Sequence, residues 1–288
     1  MKPGIIHLLA AVALLGCAYS AQAAISCTNP VSTGFSTAYA SAGVVPNVTQ
    51  GTVSFTCTRD AVGDPTALLL RADNGANATG NTNRAALAGN FISYEAYSDS
   101  ACTLPVAGQG WTRPNNANAI AFNLTSVLTA QPVNLSFWGC ITVAPVVPAG
   151  TYTDMVSMDV RIAPNNILSS GTFPVSITYP AECNITTAPG NVTFTYTAFG
   201  SAVNASTSFG ATCTSQLPYT MSLDAYVGVV AGLQYSLAIN SSPPPVSSRG
   251  TGVAQTHTIN GSMPAGQAGT CATGICSATN VHTLTITY

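Results

Sequence analysis

Two cysteine intervals of equal length constrain this chain more than any other feature: Cys27 and Cys57 stand 30 residues apart, and so do Cys183 and Cys213. A repeated interval of this kind reads as an internal duplication with the same staple in each copy. The N-terminus says which chemistry the cysteines take. Lys2 precedes a mainly apolar run over residues 5–18, which closes on Ala21-Gln22-Ala23, the small-x-small pattern of a signal peptide. The run is too short to span a bilayer convincingly, so residues 1–23 are expected to be a signal peptide cleaved after Ala23, and a retained anchor is the weaker reading. Cys17 leaves with it, and an even number of cysteines in an exported chain reads as disulfides. The repeat selects Cys27 with Cys57 and Cys183 with Cys213; Cys102 with Cys140 and Cys271 with Cys276 complete the set. Zinc is disfavoured because these pairs are widely separated and His257 and His282 would make a poor tetrahedral site.

Charge narrows the function classes. Without Lys2 the chain has no lysine, and its arginines are scattered from Arg59 to Arg249 with no basic stripe for a phosphate backbone, which argues against nucleic-acid binding. Helical periodicity is nearly absent, whereas Thr, Val, Ser, Tyr and Ile alternate in short runs. Residues 51–57 place Val53, Phe55 and Cys57 on one side and Thr52, Ser54 and Thr56 on the other. Further strands are expected over 67–71, 91–97, 120–124, 133–137 and 152–162, the last after a Pro148-Ala149-Gly150 turn. The tally suits a β-sandwich. The second half repeats the order. Strands are expected over 191–197 (Val192, Phe194, Tyr196 on one face), into Cys213, and over 219–223, 233–239, 253–259 and 282–288. Tyr235 is placed like Tyr94, and Pro264-Ala265-Gly266 repeats the earlier turn. The expectation is an all-β protein of two related, immunoglobulin-like β-sandwiches, residues 24–170 and 171–288, the second lacking its final strand.

Residues 172–179 alternate fully: Phe173, Val175, Ile177 and Tyr179 against Thr172, Pro174, Ser176 and Thr178. Such a segment could fill a groove with four apolar side chains while its backbone extends a sheet. Two readings stand side by side: completion of domain one in cis, or an ordinary first strand of domain two.

At this point the chain resembles the spore coat protein U domain family, the pilin-like domain of archaic, Csu-type chaperone-usher pili, present in two copies. The first copy carries Cys27, Phe35, Tyr39 and Gly51-Thr52-Val53-Ser54-Phe55-Thr56-Cys57. The family's Leu-Asn-Tyr-x-Leu-Tyr-x-Asp signature is similar to Ile92-Ser93-Tyr94-Glu95-Ala96-Tyr97-Ser98-Asp99, with Trp111 downstream. Its closing Pro-Ala-Gly-x-Tyr-x-Asp is matched by Pro148, Ala149, Gly150, Tyr152 and Asp154. The second copy keeps Cys183, Cys213 and Tyr235. It lacks the tyrosine and aspartate after the 264–266 turn and inserts Cys271-Ala272-Thr273-Gly274-Ile275-Cys276. The resemblance implies completion by a strand from a periplasmic chaperone and then from an adjacent pilin subunit, with assembly at an outer-membrane usher. Domain two is then the acceptor, with Leu284, Ile286 and Tyr288 on its open edge. Only Ala24, Ile25 and Ser26 lie between the expected cleavage site and Cys27, so the chain is expected to accept a strand without donating one, as a secreted, surface-exposed subunit at the pilus tip.

The adhesive face, toward a host or abiotic surface, is expected on loops at the free end of domain one, with Val44, Val45, Val146 and Val147 as contacts and core packing as the competing explanation for each. Trp138, following Phe137 in an apparent strand, is expected in the core. Enzyme chemistry is not expected. Glu95, Asp99, Asp154 and Asp159 are too dispersed for a carboxylate pair, no nucleophile elbow, zinc motif or phosphate loop occurs, and no cofactor is implied. His257 and His282 fit ordinary sheet positions. The alternative function is a secreted spore-coat-like or outer-surface binding protein with two closed sandwiches and no pilus role.

Overall fold

The computed structural model describes residues 24–39, 46–103, 111, 118–271 and 276–288. The expected signal peptide lies outside the described residues. Every regular element among them is a strand. The first half contains β1 (Ile25–Cys27), β2 (Val31–Ser32), β3 (Phe35–Ala38), β4 (Asn47–Arg59), β5 (Ala67–Gly75), β6 (Asn83–Leu87), β7 (Asn90–Tyr97), β8 (Ile120–Asn123), β9 (Gln131–Ile141), β10 (Gly150–Ile162) and β11 (Asn166–Tyr179). The second contains β12 (Cys183–Thr187), β13 (Val203–Cys213), β14 (Pro218–Leu223), β15 (Val227–Val230), β16 (Leu233–Ile239), β17 (Val246–Arg249), β18 (Ala254–Met263) and β19 (Leu284–Thr287).

In the first half one layer runs β1-β4-β9 and the other β8-β5-β10-β11-β3. Strand β7 links them: its first residues pair with β6, and Glu95–Tyr97 pair with β9. Alternation decides the faces, because successive side chains point to opposite sides of a sheet. In β4, Val53, Phe55 and Cys57 are buried while Thr52 and Ser54 are exposed. In β9, Phe137 points inward, so Trp138 must point outward, where it is half-buried rather than in the expected core position. Trp111 is the central side chain: its indole Nε1 donates to the Leu70 carbonyl at 3.1 Å, and its ring packs on Phe137 and Phe173.

The placement of β11 organises this half. It runs antiparallel to β10 from Gly150↔Tyr179 to Ile162↔Asn166. On its other side it runs parallel to β3, from Val175↔Phe35 to Thr178↔Ala38. Phe173, Val175, Ile177 and Tyr179 are all buried in the first core. A division between residues 170 and 171 therefore falls inside a continuous strand, since the alternation that fills the first core persists to Tyr179. The chain leaves that core at residues 180–182. There the Thr214 hydroxyl donates to the Pro180 carbonyl at 3.0 Å and accepts from the Glu182 amide at 3.1 Å.

The second half is a five-stranded sheet, β12-β13-β18-β16-β15, facing a three-stranded sheet, β17-β14-β19. Phe209, Tyr219, Met221, Ile239 and Ile259 lie between them. Both halves open in the same way: Cys27 lies opposite Cys57 across β1 and β4, and Cys183 opposite Cys213 across β12 and β13, each with Cα atoms 4.1 Å apart. Cys102 is bonded to Cys140 and Cys271 to Cys276.

Candidate functional site

The two halves differ in how their last strands are paired. In the first, β10 is flanked by β5 on one side and β11 on the other, and β11 is covered in turn by β3. In the second, β19 follows the equivalent Pro-Ala-Gly turn and, among the described residues, pairs with β14 alone, from Leu223↔Leu284 to Thr220↔Thr287. Leu284 and Ile286 are half-buried against the second core, and Tyr288, just beyond the strand, is exposed.

The counterpart of β3 is residues 191–197, which begin the same distance after the first cysteine of their copy. Val192, Phe194 and Tyr196 alternate as expected and are half-buried, but this segment joins no ladder, so the expected strand is absent. It is held by side chains. Val192 and Phe194 lie over Gly261, where an added Cβ would come within 2.8 Å of Val192 Cγ1, and the Phe194 ring is 6.5 Å from that of Tyr235. The Tyr196 hydroxyl accepts from the Gln267 amide at 2.9 Å. Among the described residues no strand lies between 191–197 and β19.

The apolar loop residues are distributed differently from expectation. Val44 and Val45 lie outside the described residues. Val147 is buried in the first core, and Val146 is exposed but stands against Gly252 of the second half. The neighbouring Pro148 bridges to Ser215, and Tyr152 and Tyr179 donate to the Pro148 and Pro145 carbonyls at 2.7 and 3.0 Å. This loop therefore sits at the junction between the halves, not at a free end. The reason is topological: β10 starts where β11 ends, and β11 ends where the chain enters the second half.

The opposite end of the first half gathers the end of β4 and the starts of β5, β9 and β11. Its two longest loops carry Val62, 83% exposed, and Leu128, 77% exposed, with exposed Ile167 beside them at the start of β11. Both loops are braced from below. The buried Arg59 guanidinium donates to the carbonyls of Leu124 at 2.9 Å and Val62 at 3.0 Å, and the Arg59 carbonyl accepts from the Leu128 amide at 2.7 Å. Asp64 accepts from the amides of Asp60 and Ala61 at 3.1 and 2.9 Å. Sequence reasoning missed Val62 and Leu128. The visible signal was an apolar residue amid polar and turn residues, Val62 in one loop and Val127-Leu128 in the other, but which loops share the free end is a property of strand order.

The acidic and aromatic positions that carry the resemblance have structural work. Tyr94 donates to Asp154 Oδ2 at 2.7 Å, while Asp154 Oδ1 accepts from the amides of Asn77 and Met155. Burial, followed by the Asp154 charge, pushes the Tyr94 phenol well above its usual range. Gly75 makes room, since a Cβ there would collide with the Asp154 carboxylate. Asp159 accepts from Arg71 at 2.9 Å and from Arg161. Among the described residues no group of three or more His, Cys, Asp or Glu side chains is placed to hold a metal ion, and no helix is long and apolar enough to cross a membrane.

The family model described as Spore Coat Protein U domain matches residues 9–159. No curated protein matches the chain. Among solved structures it is similar to a chain of the CsuC-CsuE chaperone-tip adhesion subunit pre-assembly complex from archaic chaperone-usher Csu pili of Acinetobacter baumannii, with 14% identity, a TM-score of 0.43, and 84% of this chain and 92% of that one covered. It is also similar to the CupB6 tip adhesin from Pseudomonas aeruginosa, with 11% identity, a TM-score of 0.35, and coverage of 91% and 94%. These TM-scores are too low to carry weight by themselves.

Proposed function

From a chain that belongs to the spore coat protein U domain family, we propose a terminal adhesive subunit of a chaperone-usher pilus. Domain one, residues 24–179, is completed in cis by β11. Domain two, from Cys183 onward, accepts a donor strand between β19 and residues 191–197, first from a periplasmic chaperone and, after passage through an outer-membrane usher, from the adjacent pilin. One observation carries this reading: the place that β11 fills between β10 and β3 in the first half has, among the described residues, no counterpart between β19 and 191–197 in the second. A strand entering there would satisfy the free edge of β19 and cover Leu284, Ile286, Val192 and Phe194. The terminal position is supported by β1, which is tied into its own sheet by the Cys27–Cys57 disulfide and is not free to be donated.

Adhesion then falls to the free end of domain one. Val62 and Leu128 stand out from braced loops, so little ordering entropy is lost on contact, and each Å² removed from water contributes roughly 25 cal/mol. An apolar host or abiotic surface is the target class this chemistry fits.

The test is complementation in the full mature chain. Fusing the alternating segment 172–179 after Tyr288 through a flexible linker is expected to give a soluble monomer with cooperative unfolding of both domains. The unfused chain, without a chaperone, is expected to aggregate. Recovery of the unfused chain as a stable monomer with a cooperatively folded domain two would instead support the closed, coat-like alternative.

A further inference from the structure

We infer that His282 is the positioning residue of the acceptor strand, holding β19 in the register that a donor strand meets; this rests on the donor-strand reading above. Strand β19 needs such a device. It has four rungs to one neighbour, whereas β10 in domain one is paired along its length by β11 on one side and over Val156–Arg161 by β5 on the other. A slip of one residue would turn Leu284 and Ile286 outward and Thr285 and Thr287 inward.

The described residues leading into β19, Cys276 to Thr283, are exposed except for His282, which is partly buried. Its imidazole is bonded at both nitrogens. Nδ1 lies 2.7 Å from Asp224 Oδ1 and Nε2 lies 2.6 Å from the Tyr235 hydroxyl, which Asn280 Nδ2 also approaches at 2.5 Å. The proton positions follow. A carboxylate only accepts, so Nδ1–H donates to Asp224; in the neutral ring Nε2 accepts from the Tyr235 O–H, and the Tyr235 oxygen accepts from Asn280. Asp224 closes the three-stranded sheet side, its own amide donating to the Thr283 carbonyl at 3.0 Å just beyond the last rung between β14 and β19. Tyr235 belongs to β16 in the opposite sheet, and Gly228 leaves space for its hydroxyl, which a Cβ there would strike. One side chain therefore ties β19 to both layers, and all three bonds exist in one register only.

Domain one supplies an internal comparison. There Tyr94, the counterpart of Tyr235, donates to Asp154 in β10. Domain two lacks an aspartate after its Pro264-Ala265-Gly266 turn, and the acceptor for its tyrosine is His282. The tie from tyrosine to the strand after the turn is kept, with an imidazole in place of a carboxylate.

The test uses the full mature chain with the 172–179 segment fused after Tyr288, read by hydrogen–deuterium exchange of the β19 amides with β13 and β18 as internal controls. His282→Phe fills the space but loses both bonds, and Tyr235→Phe removes only the hydroxyl. In each, β19 is expected to exchange about tenfold faster or more, with β13 and β18 nearly unchanged. If His282→Phe fails to fold, Tyr235→Phe decides alone. Unchanged β19 exchange, or equal acceleration in all three strands, would overturn the positioning role. If the fused wild-type chain leaves β19 as unprotected as its exposed loop amides, the donor-strand reading itself fails, which is a separate result.

Discussion

Replacing Phe173 with alanine asks which domain owns β11. The ring is fully buried, stacked on Trp111 at 5.6 Å with an 8° angle between planes, and 5.0 Å from Phe137. Truncating a phenylalanine at such a site costs about 3–5 kcal/mol, because the transfer energy is lost and a cavity remains. The two tryptophans of the chain, Trp111 and Trp138, both lie in the first half. Tryptophan fluorescence during urea unfolding therefore reports domain one alone, while far-ultraviolet circular dichroism follows both domains. With a urea dependence of about 2 kcal/mol per molar, the tryptophan-detected midpoint is expected to fall by about 2 M in the donor-fused chain, with the transition of domain two unmoved. A tryptophan transition that stays in place while the other shifts would put Phe173 in domain two and refute the cis-completed first domain.

Acid is expected to weaken domain two through His257, which burial holds below the ordinary imidazole range. Asn240 Oδ1 accepts from the Thr258 amide, which turns its Nδ2 toward His257 Nδ1 at 3.0 Å, and Nε2–H then donates to Tyr219 at 2.9 Å, so the neutral ring is fully bonded and Nδ1 has no acceptor for a second proton. The unfolded imidazole takes up a proton below about pH 6.5 and the folded one resists it, so stability is complete above that pH and falls as pH drops toward the lowered folded value. A wild-type minus His257→Gln stability difference that does not change across this window would refute the assignment. For adhesion, Val62→Ser with Leu128→Ser is expected to reduce attachment to an apolar surface while changing domain-one stability by less than about 0.5 kcal/mol per site, whereas Val147→Ser should destabilise that domain. Equal destabilisation by all three would return Val62 and Leu128 to the core.

Much of the architecture is local and was legible in the chain. Alternation in β4 and β11 states which side chains share a face, because a strand has a period of two wherever it lies. The matching cysteine intervals announce two copies stapled between their opening strands. What no local pattern could state is which sheet receives a given strand. Residues 172–179 could close one domain or open the next, and the local pattern puts them in the second; pairing of Val175 with Phe35, far away in sequence, assigns them to the first. Residues 191–197 have the right alternation but form no strand, since no described segment pairs with them. The pairing of β11 explains why Val146 and Val147 lie at the junction while Val62 and Leu128 reach the free end, since strand direction decides at which end each loop emerges. Side-chain partition follows from the covalent period of the backbone. Strand order, and with it the open edge and the position of His282, follows from hydrogen-bond ladders between distant segments, which only the folded chain brings together.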